Sequence, residues 1–329
     1  MRIHIGKNPK NHLIMKSNYL TLSIIVLIMF GCTKEPSENS IQHENVKEYS
    51  GPIIDMHLHS GLPHKIPSGT PSLCRPEPCQ GNEPAIVDPD KLLERTLAVM
   101  EENNITKAFL SGVDWNVVQD WARKAPGQFI SSPFILKPDS SKLKRLKEMY
   151  ASGKFQGLGE IGTQLTGLPP NDPSLEPYFE LADSLDLPVL IHTLGIGPYM
   201  PHFRSSAGNP LLLEDILIRH PKLRIYVENA GFPFTEEMIA MMYQYPQLYV
   251  DVSTITWVIP RTAFYDHLEK LIRAGLGKRI MFGSDQMVWP NKIGEAVEAI
   301  NQATFLSRSE KEDIFYNNAI RFLRLEKSE

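Results

Sequence analysis

Cysteine is scarce in this chain, with only Cys32, Cys74 and Cys79 among 329 residues. That excludes a disulfide-built scaffold and a cysteine-ligated zinc knuckle. The fold must rest on an ordinary apolar core, and a hydrophobic content of 42% is enough to build one. A basic excess is also missing, since 34 Lys and Arg stand against 38 Asp and Glu. Nucleic acid is therefore excluded as a partner, because phosphate binding needs a basic surface. Nor does any apolar run approach the roughly 20 residues that cross a bilayer as a helix. What remains is a globular protein of a length typical of one α/β barrel.

The start of the chain is of a different kind. Arg2, Lys7, Lys10 and Lys16 precede an apolar run from Tyr19 to Phe30 that ends at Gly31-Cys32. A charged head followed by a short apolar stretch is the pattern of an export signal. Met15-Lys16 offers an alternative start. The ending Met29-Phe30-Gly31-Cys32 resembles a bacterial lipobox, which implies cleavage before Cys32 and a lipid on that residue. The plainer alternative is a secretory signal that happens to contain a cysteine. We read residues 1–31 as signal peptide, 32–50 as a polar flexible tether and 51–329 as a single domain. On that reading the protein is exported and held in the bacterial cell envelope, with the membrane as partner through its lipid anchor. Loss of the four basic leader residues leaves 30 basic against 38 acidic side chains, a formal charge of −8 where the whole chain has −4. In an exported chain Cys74 and Cys79 either close a small disulfide or remain free thiols.

Beyond the tether, short apolar runs alternate with amphipathic stretches. The pattern predicts strands at Ile53–His57, Lys107–Leu110, Ile130–Ile135, Gln156–Glu160, Pro188–His192, Arg224–Glu228, Leu248–Val252 and Arg279–Gly283. Helical segments fall between them, among them Pro89–Glu102, Ser141–Tyr150, Leu175–Asp186, Leu211–His220, Glu236–Tyr245 and Ala263–Ala274. Eight β-then-α repeats over this length predict a closed (β/α)8 (TIM) barrel rather than an open doubly wound sheet. The proline-rich connection from Gly61 to Val87, which carries Cys74 and Cys79, is too long for a plain turn. Following the first strand, it falls on the rim where barrel active sites lie and reads as a lid.

The strand ends carry the chemistry. His57 and His59 close the first strand two positions apart, so they face one side and can ligate one divalent ion. Asp55 would lie beneath them and orient a ring by a hydrogen bond. Glu160 ends the fourth strand, His192 the fifth and Asp285 the eighth. Each has an ordinary structural explanation alone, such as a helix cap for Asp285. Their coincidence at one end of a barrel points to a metal site.

These segments resemble the amidohydrolase superfamily, and within it the amidohydrolase-related family of lactonases, decarboxylases and small-acid hydrolases. The resemblance is carried by Asp55-Met-His-Leu-His59, Gly157-Leu-Gly-Glu-Ile-Gly162, Pro188-Val-Leu-Ile-His192, His220-Pro-Lys-Leu-Arg224, Met281-Phe-Gly-Ser-Asp285 and the late Asn317-Asn-Ala-Ile-Arg-Phe-Leu323. It implies a metal held by His57, His59, His192 and Asp285, a metal-activated water as nucleophile, and Asp285 as its base. Glu160 matches a position where some relatives carry a metal-bridging carboxylate. The family puts zinc first, while imidazole and carboxylate donors also suit manganese or iron. The sixth strand departs from the pattern. Its Glu228-Asn229-Ala230-Gly231 places Asn229 where the family has a histidine, and Asn is a poor zinc ligand and no proton shuttle. That moves the expectation from two ions to one.

Substrate contacts would come from the loops after the strands. Candidates are His202 and Arg204 after the fifth strand, Asn229 after the sixth, and Trp257 and Arg261 after the seventh. The arginines suggest a small, carboxylated substrate, since guanidinium pairs with carboxylate in bidentate fashion. His267 reads as a helix-surface residue. The leading expectation is a hydrolase of a lactone, amide or related carbonyl bond. Two alternatives are a metal-dependent non-oxidative decarboxylase of a small unsaturated or aromatic acid, and a surface binding protein that has lost the chemistry.

Overall fold

The computed structural model describes residues 48–326, apart from 63–64, 78–81 and 198–199. The expected leader, most of the tether, Cys32 and Cys79 lie outside the described residues. Tyr49 already belongs to the domain: its backbone exchanges hydrogen bonds with the Asn301 side chain and its ring stacks on Phe315 at 5.3 Å.

Among the described residues eight strands run parallel: β1 (Ile53–His59), β2 (Ile105–Ser111), β3 (Phe129–Ser131), β4 (Leu158–Ile161), β5 (Pro188–Ile191), β6 (Arg224–Val227), β7 (Leu248–Asp251) and β8 (Ile280–Met281). They pair in chain order as β1–β2–β3 and β4–β5–β6–β7–β8. Two seams join these halves. Ile135 N donates to Glu160 O (2.7 Å), linking the chain after β3 to β4, and Met56 N donates to Phe282 O (2.9 Å), linking β8 to β1. The expected barrel is thus closed. Helices wrap it: α1 (Pro89–Glu102), α2 (Trp115–Lys124), α3 (Ser140–Ala151), α4 (Glu176–Ser184), α5 (Glu214–Arg219), α6 (Thr235–Gln244), α7 (Ile255–Val258), α8 (Arg261–Arg273), α9 (Lys292–Asn301), α10 (Arg308–Glu312) and α11 (Asn318–Leu323). Asp88, Asp114 and Asp139 set the starts of α1, α2 and α3, each accepting first-turn N–H groups. The floor of the barrel is an apolar plug in which Ile54, Met56, Phe109, Leu190, Tyr226 and Met281 pack on Phe322 and Ile320 of α11.

One irregularity in β1 decides what reaches the top. The pairing of β1 with β2 slips by a residue between Asp55 and Leu58. Such a bulge switches the side-chain parity. Met56 therefore joins the floor plug while its neighbour His57 also faces inward. Asp55 does not lie under the rings as the alternation implied. Its carboxylate accepts instead from the backbone N–H of His57 (3.0 Å) and Ser284 (2.9 Å), tying β1 to the chain after β8. Burial pushes its pKa up to about 6, against the pull of those donors.

His267 is also placed differently from its surface reading. It is buried in α8, with Nε2 donating to Ala230 O (3.1 Å) and Nδ1 accepting from the Thr235 hydroxyl (2.8 Å). Burial lowers its pKa from 6.5 to about 4. A lowered histidine pKa means that the unfolded chain takes up a proton which the native state refuses, so stability is intact above pH 6.5 and falls as pH drops towards 4. Urea unfolding at pH 7.5 and pH 5 should therefore cost the wild type about 2 kcal/mol more than His267→Gln over that step. Equal losses in the two proteins would show that His267 is not held neutral.

Candidate metal centre

His57, His59, Glu160, His192 and Asp285 converge at the C-terminal mouth of the barrel, as the strand ends implied. His57 Nδ1 lies 2.8 Å from Ser253 Oγ. The Ser253 hydroxyl donates to the Asp251 carboxylate, so its oxygen must accept from His57 Nδ1–H. In the neutral ring Nε2 of His57 is therefore the acceptor, and it points at Nε2 of His59 only 3.0 Å away. His59 is anchored from the other side, with Nδ1 3.0 Å from Ser111 Oγ and its backbone N–H and C=O clamped by the Gln286 amide. Around the two Nε2 atoms stand Asp285 Oδ1 (3.1 Å from His59), Glu160 Oε2 (3.2 Å from His59) and Glu228 Oε1 (3.4 Å from His57). His192 Nδ1 faces Glu228 Oε2 (2.8 Å) and Glu160 Oε1 (2.9 Å).

The electrostatics are extreme because every one of these groups is buried. Burial opposes charge on the imidazoles, yet the surrounding carboxylates outweigh it. Glu228 and Asp285 hold His57 well above its ordinary pKa. Asp285 and Glu160 push His59 to about 9, and Glu228 and Glu160 push His192 to about 10. Burial and then the charge of Glu160 raise Glu228 to about 8, whereas the three histidines overcome burial and hold Glu160 well below the carboxylate range. Asp285 is lowered too, with burial overcome by His57 and His59. Such a cluster draws in cations, either protons or a metal. Asp285 Oδ1, Glu228 Oε1 and Asp251 Oδ2 are buried and accept no hydrogen bond among the described residues. Orphaned carboxylate oxygens cost on the order of 1–3 kcal/mol each or more. A divalent ion would satisfy them and displace the imidazolium protons. The donor set therefore fits a metal.

The backbone is bent to present these groups. Gly159 has φ +107, and a Cβ there would stand 2.2 Å from Leu190 O, so only glycine can precede Glu160. A Cβ on Gly283 would come within 2.9 Å of His57 Cβ and 3.0 Å of Ser253 Oγ. Asp285 and Asn229 both adopt left-handed conformations, with φ 46 and 54. Asn and Asp tolerate that region better than other side-chain-bearing residues.

Strand six thus reads differently in three dimensions. Its contribution to the cluster is Glu228, while Asn229 occupies the left-handed turn that follows. Asn229 lies outside the cavity, and its backbone N–H donates to Asp251 (3.1 Å). Sequence reasoning passed over Glu228, Asp251, Ser253 and Ser111. Glu228 and Asp251 carry the signal that found the others, a charged residue ending an apolar run. The expected substrate contacts also move. His202 and Arg204 are exposed, and Arg204 donates to the nearby His202 and Phe203 backbone carbonyls. Trp257 is buried with its indole N–H on Ser284 O (2.8 Å), and Arg261 lies over the Tyr265 ring at the start of α8. None of these five lines the cavity that opens onto the cluster.

That cavity measures about 180 Å³. His59, Glu160, His192 and Asp285 form its floor, and Leu62, Ile66, Leu73, Phe134, Leu194 and Met287 much of its wall. Arg75 brings the one guanidinium among the described lining residues. The β1–α1 connection roofs the cavity as a lid would, tied down by Arg75 N to Val258 O (2.5 Å), Ile86 N to Val288 O (2.9 Å) and Trp289 Nε1 to Thr70 O (3.1 Å). Cys74 in this loop is disulfide-bonded.

Ser253 supports the centre without reaching the ion. Ser253→Ala would free His57 Nδ1 and is expected to weaken metal affinity roughly 10–100-fold while leaving the fold intact. Chelator competition on the two proteins measures this, and unchanged affinity would refute the relay from Asp251 through Ser253 to His57.

Comparison with known proteins agrees with this geometry. No curated protein matches the chain. Among solved structures, a probable 2-pyrone-4,6-dicarboxylic acid hydrolase from Acinetobacter baumannii aligns with TM-score 0.58 and 14% identity, over 83% of this chain and 99% of that one. An uncharacterised TIM-barrel protein from Bordetella bronchiseptica aligns with TM-score 0.57 and 18% identity, over 83% and 98%. A 5-carboxyvanillate decarboxylase from Novosphingobium aromaticivorans, complexed with manganese, aligns with TM-score 0.52 and 16% identity, over 73% and 82%. These likenesses are likenesses of fold. A family model described as Amidohydrolase matches residues 54–325, nearly all of the described barrel, and the chain belongs to that amidohydrolase family.

Proposed function

We propose that the protein is a metal-dependent hydrolase that opens a lactone, amide or related carbonyl bond of a small molecule. The observation that carries this reading is the close approach of His57 Nε2 and His59 Nε2, 3.0 Å apart, inside a ring of buried carboxylates at the floor of a cavity. A bound divalent ion would bring water to reactive basicity near neutral pH and polarise the substrate carbonyl. His57, His59, Glu160 and Asp285 would hold it. Manganese in one structural neighbour and the mixed imidazole–carboxylate donors support manganese alongside zinc.

The chain's own residues supply the rest. Asp285 Oδ2 is fixed by the Thr254 hydroxyl, while Oδ1 faces the centre with no hydrogen-bond donor among the described residues. That oxygen is placed to take a proton from the attacking water and return it to the leaving group. The apolar wall excludes bulk water and accepts a small hydrocarbon body. Arg75 replaces Arg204 and Arg261 as the candidate contact for an anionic group. It is held by Cys74 O (2.5 Å) and the Glu77 carboxylate (2.6 Å).

Metal-loaded protein should hydrolyse members of a lactone and amide panel. Asp285→Asn is expected to lower kcat by roughly 10²–10⁴-fold. Carbon dioxide release from aromatic or unsaturated acids would transfer the assignment to decarboxylation, and full metal occupancy with no turnover would transfer it to a binding role. Arg75→Gln should raise KM for acidic substrates by about tenfold, the worth of one charge-assisted contact of about 1.4 kcal/mol. Neutral analogues should be unaffected, and an equal change for both classes would remove Arg75 from substrate recognition.

A further inference from the structure

The two ends of the barrel carry opposite charge. Outside the metal cluster, the loops after the strands hold Glu77, Glu83, Asp88, Asp114, Asp139 and Asp172 against Lys65, Arg75, Lys137 and Arg204. The segments leading into the strands hold Lys154, Lys222, Arg224, Lys278 and Arg279 against Glu48 and Asp186. At this second end α11 and the residues after it add Arg321 and Arg324 against Glu326. Contacts gather five of these cations around Phe322, on the outer side of the floor plug. Arg224 donates to Phe322 O (2.6 Å) and shares the Asp186 carboxylate with Arg324. Arg321 donates to Lys278 O (3.1 Å), and these two share the Asp313 carboxylate. Arg279 is held by Tyr245 O (3.2 Å) and Leu248 O (3.3 Å). Each acid serves two cations, so the ion pairs leave a net positive charge, and Lys278 and Arg324 remain largely exposed. The chain enters the domain at the same end, where Tyr49 stacks on Phe315, two residues from Asp313.

From the entry point and the charge we infer that this end of the barrel docks on an anionic lipid surface, with the mouth turned away from it. The inference rests on the reading of Cys32 as a lipid anchor and is independent of the chemistry at the mouth. Sixteen residues lie between Cys32 and Tyr49, so the two are at most about 60 Å apart even along a fully extended chain. Those sixteen residues do not supply the attraction, because Lys34 and Lys47 stand against Glu35, Glu38, Glu44 and Glu48. The basic face of the domain does. Lys and Arg side chains are drawn to an anionic leaflet, and the attraction fades within a Debye length of about 8–10 Å. A face must therefore lie close to the headgroups to gain from it, and the anchor brings this one close. The acidic loops at the mouth are repelled by the same surface, so both ends of the barrel favour one orientation. That orientation leaves the cavity open to small molecules arriving from the aqueous side.

The mature chain with Cys32→Ser carries no lipid and isolates the face. It should co-sediment with phosphatidylcholine vesicles only when they contain phosphatidylglycerol, and added salt should release it. Lys278→Gln, Arg321→Gln and Arg324→Gln combined in that chain should weaken binding roughly 10–100-fold. Lys65→Gln with Lys137→Gln, at the mouth, should leave binding unchanged. Circular dichroism reports whether the triple variant is folded, and the lipid and salt dependence of the Cys32→Ser chain is a test that needs no further substitution. No binding, binding that ignores the anionic lipid, or an equal loss in the mouth variant overturns the inference. Mass spectrometry of membrane-extracted protein tests the anchor separately. A Cys32 without lipid overturns the anchored orientation, while phosphatidylglycerol binding by the Cys32→Ser chain upholds the face on its own.

Discussion

The structure turns on two imidazoles, His57 and His59, whose Nε2 atoms the fold holds 3.0 Å apart inside a ring of buried carboxylates. Ser253 commits its own proton to Asp251 and so obliges His57 to present Nε2 as an acceptor. Carboxylates crowded together in a buried site are costly without cations, so the cluster calls for protons on the imidazoles or a metal among them. Glu160 in β4, Glu228 just after β6 and Asp285 after β8 set that demand. Proton uptake meets it in part: the carboxylates outweigh burial and hold the three imidazoles at raised pKa, while burial and the charge of Glu160 push Glu228 up to about 8. A metal meets it fully, because it satisfies lone pairs from several directions at once.

Holding such a cluster together calls for a scaffold that resists its repulsion, and the barrel supplies this through the backbone. Asp55 ties His57 N–H to Ser284 N–H across the last seam, and Asp285 N–H returns to His57 O at 2.7 Å. The ligands of the first and last strands are thereby one rigid unit. Left-handed Asp285 and Asn229 store strain of about 1–3 kcal/mol each. Strain of this kind persists where the surrounding contacts over-determine the chain, as they do in the turns that present Glu228 and Asp285. The floor plug of Tyr226, Phe109 and Phe322 lies directly beneath, with Tyr226 OH donating to Met56 O at 2.7 Å, so packing energy fixes the strand from which His57 projects.

Much of this was legible in the sequence. Eight apolar runs, their order and five of the ligand candidates came from periodicity and from charged residues at strand ends. The failures have physical causes. The position of Asp55 was misjudged because strict alternation assumes an unbroken ladder, and a one-residue bulge in β1 reverses the parity. Glu228 is obscured in the sequence by the missing histidine at 229, a position whose left-handed backbone explains its asparagine. Arg204, Arg261 and Trp257 were assigned to the substrate because they come after strands, but loop conformation, which local sequence does not encode, turned them away. His267 looked like a surface residue because one buried polar side chain on a helix is indistinguishable by pattern from an exposed one. Its partners, Thr235 and Ala230, are distant in sequence.

Floor and wall of the cavity are opposite in polarity, and each depends on the other. A site holding this much charge would be hydrated if open, and water would screen the fields that make the cluster useful. The lid loop prevents that by laying Leu62, Ile66 and Leu73 over the mouth while Thr70 O, Arg75 N and Ile86 N fasten it to the loops after β7 and β8. Neither Leu62, Ile66 and Leu73 nor His57, His59 and Asp285 would suffice without the other set. An apolar chamber without the ligands has no chemistry, and ligands without the chamber are screened. On the proposed reading, selectivity lies in the wall of the chamber, where the lid's Leu62, Ile66 and Leu73 meet Phe134, Leu194 and Met287 from other loops. Arg75 belongs to that lid, held beside Cys74 and Glu77, so the loop that excludes water also carries the cavity's cation. Substitutions in 61–87 should consequently redirect substrate choice while leaving the metal centre unchanged, whereas altering Ser253 or Glu228 should disturb the metal centre and leave the shape of the chamber intact.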